Sequence, residues 1–200
     1  MCDARAGTIL VFGQTNTVTP QFSALRSGSS TTLSAADIGV TITNLGGVPS
    51  ATPALFTLSA TNVTPATVDA TGHITENFAG TFSIFSGAGQ TGTNYLSGTF
   101  SDTAFGQGTA LTLSASFPGS LLSFTSDVIG ALLPPRGMSL AFTDVTPGLS
   151  VVDGTLDSFN SNVAGNFSAA VPEPTSVALL GIGLSGLFAF RRFFRRISVA

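Results

Sequence analysis

One His (His73), one Cys (Cys2), one Tyr (Tyr95) and no Trp are all that this 200-residue chain offers for metal, thiol or aromatic-stacking chemistry beyond Phe. A lone His supplies no His-rich metal site. It is enough for a Ser-His-Asp triad, but none of the 24 Ser is framed by Gly-x-Ser-x-Gly, the turn that lifts a nucleophile out of a sheet. His73 lies in Ala70-Thr71-Gly72-His73-Ile74 and reads as a surface turn His. Asp144, Asp153 and Asp157, with backbone carbonyls, have the chemistry of a calcium site, but the D-x-[DN]-x-[DN]-G run is absent. Asp153 and Asp157 bracket a turn, and no pair of general acid and base carboxylates stands out. Sugar-binding surfaces favour exposed Trp or Tyr, so a stacking platform is disfavoured with Tyr95 alone. Asn62-Val63-Thr64 and Asn166-Phe167-Ser168 match the N-glycosylation acceptor, a cheap match in a chain with 51 Ser and Thr. No catalytic residue, no metal ligand set and no cofactor is assigned, and a single Cys closes no disulfide within the chain.

The elements that would carry these residues are strands. Leu111, Leu113, Ala115 and Phe117 alternate with Thr112, Ser114 and Ser116. Ile38, Val40 and Ile42, then Phe56, Leu58 and Ala60, then Phe78, Phe82 and Ile84 with Gly80, repeat the pattern. Period-two alternation marks strands with one buried face. Asp153-Gly154 is a two-residue hairpin signal, because both positions accept positive φ. Ser86–Thr93 reads as a longer, flexible loop, and Pro134-Pro135 and Pro147-Gly148 as breaks. No amphipathic helix precedes residue 170. The spacing predicts an all-β, antiparallel β-sandwich or jelly-roll-like domain of about ten to twelve strands over residues 7–168. Thirteen of the 17 Phe lie in that body and are expected to fill the space between two sheets. A Gly-x-Phe-Ser pattern recurs at Gly80–Ser83, Gly98–Ser101 and Gly165–Ser168. It fits a duplicated hairpin or a ligand patch. The preferred reading is packing, with each strand setting a Phe inward beside a small residue.

Charge is sparse and uneven. The seven basic residues are all Arg, and four of them are Arg191, Arg192, Arg195 and Arg196. Residues 7–170 hold two Arg against eight carboxylates, a net of −6, which excludes a phosphate-binding footprint and hence nucleic acid. At the other end, Ala4-Arg5-Ala6 before Gly7 has the small-x-small form that precedes a signal-peptidase cut. Residues 1–6 are therefore expected to be the remnant of a signal peptide whose start lies upstream.

From residue 169 the composition changes. A Pro-containing linker over 169–176 holds Pro172, Glu173 and Pro174. Val177–Phe190 has 14 residues and no charge, about 21 Å as a helix. That is short for the ~30 Å bilayer core but close to spanning it once flanking residues are added. The Arg cluster of 191–200 then stays cytoplasmic, and the body faces outward.

This order resembles the PEP-CTERM sorting signal: Pro172-Glu173-Pro174, a short apolar segment, then Arg191, Arg192, Arg195 and Arg196 at the chain end. The resemblance implies an exported bacterial protein. Exosortase would recognise Pro172, Glu173 and Pro174. Val177–Phe190 would be a transient single transmembrane helix in the inner membrane, and the Arg cluster a stop signal. It also implies a cell-surface or extracellular-matrix destination, with extracellular polysaccharide as a partner. It transfers no activity to the body, which is expected to be non-catalytic. A secreted hydrolase on a β scaffold and a permanently anchored surface protein are the alternatives. The genomic DNA upstream of Met1, read in frame, is expected to encode a basic and then apolar stretch; an immediate stop codon would refute the signal-peptide remnant.

Overall fold

A computed structural model describes residues 6–171, together with Ile182. Thirteen strands run from Gly7 to Ala170: β1 (Gly7–Gln14), β2 (Phe22–Ser27), β3 (Ser30–Leu45), β4 (Val48–Asn62), β5 (Thr67–Val68), β6 (Ile74–Gly87), β7 (Thr91–Gln107), β8 (Ala110–Phe117), β9 (Leu121–Leu122), β10 (Leu133–Thr146), β11 (Val151–Val152), β12 (Thr155–Leu156) and β13 (Phe159–Ala170). All pairings are antiparallel. Residues 6–171 contain no helix.

The expected two-sheet sandwich is replaced by one closed ring. Each long strand pairs with the next in sequence, in the order β1-β3-β4-β6-β7-β8-β10-β13, and β13 returns to β1. The result is an eight-stranded up-and-down barrel. Sandwich and barrel demand the same alternation from each strand, because both hide one face. What separates them is the pairing of first strand with last and of β6 with β7, which alternation does not encode. The strands are also longer than the turn spacing suggests, with β3, β4, β6, β7 and β10 running 14–17 residues through bulges. The Ser86–Thr93 loop shrinks to a three-residue turn, since Gly87 pairs with Thr91.

β1 and β2 are one wall strand with an interruption. Both run antiparallel to β3 and β13, and Thr15–Gln21 bulge out between them. Two buried amides hold this excursion. Gln14 Nε2 donates to the Asn16 carbonyl (2.5 Å) and to Asn162 Oδ1 (3.1 Å), while Asn162 Nδ2 donates to the Thr17 carbonyl (3.1 Å).

An eight-stranded barrel encloses just enough room for side chains to fill, and here Phe fills it. Ten Phe are buried, eight of them in two aromatic clusters. Phe12 packs on Phe56 (centroids 4.9 Å), and Phe82 stacks on Phe167 (4.9 Å) with Phe124 edge-on to both. Phe22 packs on Phe142 (4.3 Å) and Phe159 (6.4 Å).

The Gly-x-Phe repeats are the device that fits these rings. Gly80 stands opposite Phe100, Gly98 opposite Phe82, and Gly165 opposite Phe12. Gly165 leaves room for the Phe12 ring, the pairing that shields a glycine in a sheet. Gly80 instead admits the close approach of the Ser59–Ala60 backbone, and Gly98 that of Ser123, with the Phe82 ring 3.2 Å from where a Cβ would stand. A Cβ on Gly165 would lie 2.8 Å from Phe12 Cζ and 2.9 Å from Leu140 Cδ2. Gly165→Ala is therefore expected to lose about 1–3 kcal/mol in urea denaturation through overpacking. Gly13→Ala, on the same wall with open space beside it, should change stability by less than about 0.5 kcal/mol.

Candidate functional site

The two ends of the barrel differ. One end carries the Leu45–Val48 and Gly87–Thr91 turns and the exit of β13. The other, far end carries the β4–β6, β7–β8 and β10–β13 connections. Asp69, Glu76, Asp144, Asp153 and Asp157 sit in or beside the far-end connections, with Arg26 as the cation among them.

Glu76 is the one carboxylate among the described residues in the core, 1% exposed. It lies on β6 between Ile74 and Phe78, at an inward position. Thr155 Oγ1 donates to its Oε1 (2.6 Å) and the Leu156 N–H to its Oε2 (3.0 Å). Thr155 Oγ1 also meets Thr31 Oγ1 (2.8 Å) and accepts from Asn62 Nδ2 (3.2 Å). These bonds seat the β11–β12 hairpin over the far mouth of the barrel. Its turn is Asp153-Gly154, as the sequence indicates, with φ of 51° and 77°. Outside, Arg26 fastens the same hairpin, with Nη1 3.1 Å from Asp153 Oδ2 and Nε 3.2 Å from Asp157 Oδ1. The Ser158 N–H and the Arg26 guanidinium hold the Asp157 carboxyl below the usual range. Among the described residues no cation pairs with Glu76. Burial pushes its carboxyl above the ordinary value of 4.5, opposed by the donors from Thr155 and Leu156.

The candidate residues fall into separate places. Asp153 and Asp157 come together, but around Arg26, while Asp144 Oδ2 accepts from Asn162 Nδ2 (2.8 Å) on another strand. The three do not assemble a calcium cage. His73 is in a turn, as expected. Its Nδ1 meets Thr71 Oγ1 (2.6 Å), and its ring stacks on Phe105 with centroids 5.0 Å apart. Asp69 Oδ1 accepts from the Thr71 hydroxyl (2.7 Å) and N–H (2.8 Å) and from the His73 N–H (2.9 Å). The Thr71 hydroxyl and His73 N–H bonds bring its carboxyl down to about 2. Asn62 is tied into the Glu76 network through both side-chain atoms, whereas Asn166 lies exposed on the outer wall. A groove on that wall is lined by Thr57, Thr81, Ser83, Ser97, Thr99 and Thr125, and at its edge the Thr57 hydroxyl donates to Asp37 Oδ1 (3.1 Å).

β13 ends at Ala170, paired with Leu133, and Val171 is already half exposed. The chain thus leaves the wall at the end opposite the hairpin. Pro172, Glu173, Pro174, Arg191, Arg192, Arg195 and Arg196 lie outside the described residues, as do residues 1–5 and the 177–190 segment apart from Ile182. A family model for the PEP-CTERM protein-sorting motif matches residues 170–196. The tail is a PEP-CTERM motif. It marks an exported protein sorted by exosortase, with membrane-associated sorting before the surface. The match begins at Ala170, where β13 ends, so the barrel and the PEP-CTERM segment meet without overlap beyond that residue. No curated protein and no solved structure matches the chain. Among the described residues no helix is long and apolar enough to cross a membrane, and the predicted transmembrane helix lies outside them.

Composition alone passed over two residues. Glu76 occupies an inward position between Ile74 and Phe78, and Phe105 an outward one between Ala104 and Gly106; the period-two pattern contains both signals. Glu76 also sets a pH dependence. Well below pH 4.5 the carboxyl is protonated in folded and unfolded chains alike. As pH rises the unfolded chain ionises first, so stability falls until the folded carboxyl ionises too. Thermal unfolding should show this decline across the pH range just above 4.5, and Glu76→Gln should flatten it. Glu76→Ala should cost about 2–4 kcal/mol at any pH by stranding the Thr155 and Leu156 donors.

Proposed function

We propose that the barrel is a non-catalytic surface or extracellular-matrix protein, delivered by its PEP-CTERM tail and released when exosortase cuts near Pro172-Glu173-Pro174. The observation that carries this reading is the division of labour in the barrel. Its lumen is packed with Phe, and its outer wall is mostly Ser and Thr. The carboxylates at the far end are engaged in hairpin and turn contacts: Glu76 with Thr155 and Leu156, Asp153 and Asp157 with Arg26, and Asp69 with the Thr71–His73 turn. In this reading Val177–Phe190 holds the chain in the inner membrane until processing, and Arg191, Arg192, Arg195 and Arg196 remain on the cytoplasmic side. Polysaccharide of the matrix is the proposed partner, reached by a domain with a −6 body and few charges to compete for other ligands.

An extended Pro-bounded segment suits a membrane-embedded processing enzyme. Proline fixes φ and removes N–H donors, so neither Pro172 nor Pro174 supports regular pairing past β13. Intact-mass measurement on the protein from the producing cell should show loss of roughly 25 C-terminal residues, set by the motif position. Substituting Pro172, Glu173 and Pro174 together by Ala should leave the chain membrane-bound at full mass. A native protein that keeps Arg195 and Arg196 would overturn the release step.

A further inference from the structure

Phe105 breaks the rule that Phe lies inside. It is 49% exposed, the one exposed aromatic among the described residues. It stands on the outer face of β7 near the far end, with Thr75 of β6 and Thr112 of β8 as its register partners. Just before β6 begins, the His73 ring lies nearly parallel to the Phe105 ring, at an interplanar angle of 12°. His73 is itself pinned by Thr71, and Thr71 is held by Asp69 and by Gln107 Nε2, which donates to the Thr71 carbonyl (2.7 Å). His73 Nε2 makes no hydrogen bond within the described residues.

We propose that Phe105, flanked by Thr75 and Thr112 and backed by His73, is a binding platform for one sugar unit of a neutral polysaccharide. A pyranose ring has an apolar C–H face and a rim of hydroxyls. The open part of the Phe105 ring matches the C–H face. The Thr hydroxyls and His73 Nε2 match the rim, since each exchanges donor and acceptor roles. The order of the patch matters, because rings already held in place lose little freedom on binding. Its charge selects the ligand. Asp69 stands at the rim as a carboxylate, the chain has no Lys, and Arg26, on β2 across the far end, is taken by Asp153 and Asp157. A uronate or sulfate group would therefore meet repulsion with nothing to offset it. One platform binds weakly, but many copies on a repeating polymer gain by multivalency. The site lies at the end of the barrel away from the tail, facing outward while the chain is still anchored. The proposal rests on the matrix reading above and supplies its ligand.

The sole His gives a single imidazole signal, which makes the test direct. The full chain, in a detergent without sugar headgroups, is titrated with maltohexaose, cellohexaose and laminarihexaose, and separately with hexaguluronate. At least one neutral hexasaccharide should move the His73 imidazole and the Thr75 and Thr112 amide signals to saturation, and hexaguluronate should not. Phe105→Ala and Phe105→Leu should keep the native far-ultraviolet spectrum and weaken binding about tenfold, the scale of one lost stacking contact. Absence of any neutral shift, an equal or stronger response to hexaguluronate, or unchanged binding by Phe105→Leu would overturn the platform. Co-sedimentation with an insoluble neutral polysaccharide separates the two levels. Equal pelleting of native and Phe105→Leu chains would leave the matrix reading standing and place binding elsewhere. No pelleting of either, with no shift, would remove both.

Discussion

Everything in this structure depends on closing the wall between β1 and β13. Until the first and last strands pair, each strand has an apolar face but no common interior to place it in. Once they pair, eight faces share one lumen and the edges that invite aggregation disappear. The lumen then dictates composition. Ten inward Phe crowd the wall, and glycines relieve it: Gly165 leaves a side chain out where the Phe12 ring sits, while Gly80 and Gly98 let neighbouring backbone come close. The wide use of Phe and the recurrence of Gly two residues before it are two sides of one packing solution.

Much of the wall was readable in advance. The residue sets Leu111–Leu113–Ala115, Ile38–Val40–Ile42 and Phe56–Leu58–Ala60 are buried as their alternation demands, and Asp153-Gly154 makes the hairpin turn its φ requirements predict. Closure was not readable, because alternation is a property of one strand and closure a property of the pair β1–β13, separated by most of the chain. The Thr15–Gln21 bulge was also hidden, since its anchors Gln14 and Asn162 become intelligible only when their amides meet across the wall. Counting residue types drew attention to His73 and the Asp residues. Position mattered more: Glu76 and Phe105 were ordinary as letters and unusual as a charge facing in and a ring facing out.

The tail and the barrel obey different rules. The barrel satisfies its backbone within itself, strand to strand around the closed wall. The PEP-CTERM segment has Pro where a strand would need donors and Arg where a buried helix would not. Their junction at Ala170 is therefore also a change of role, with the barrel wall before it and the sorting motif after it.

The interruption between β1 and β2 has a bearing on how such a chain can diversify. The wall strand leaves at Gln14 and re-enters at Phe22 in the same direction, so the pairing order around the ring is indifferent to what lies between. Insertions, deletions and wholesale replacement at Thr15–Gln21 leave the closure geometry untouched as long as Gln14 and Asn162 can still grip carbonyls. Thr15–Gln21 is thus a place in the wall itself where length is a free variable, and a lineage exploring new surfaces would be expected to write differences there.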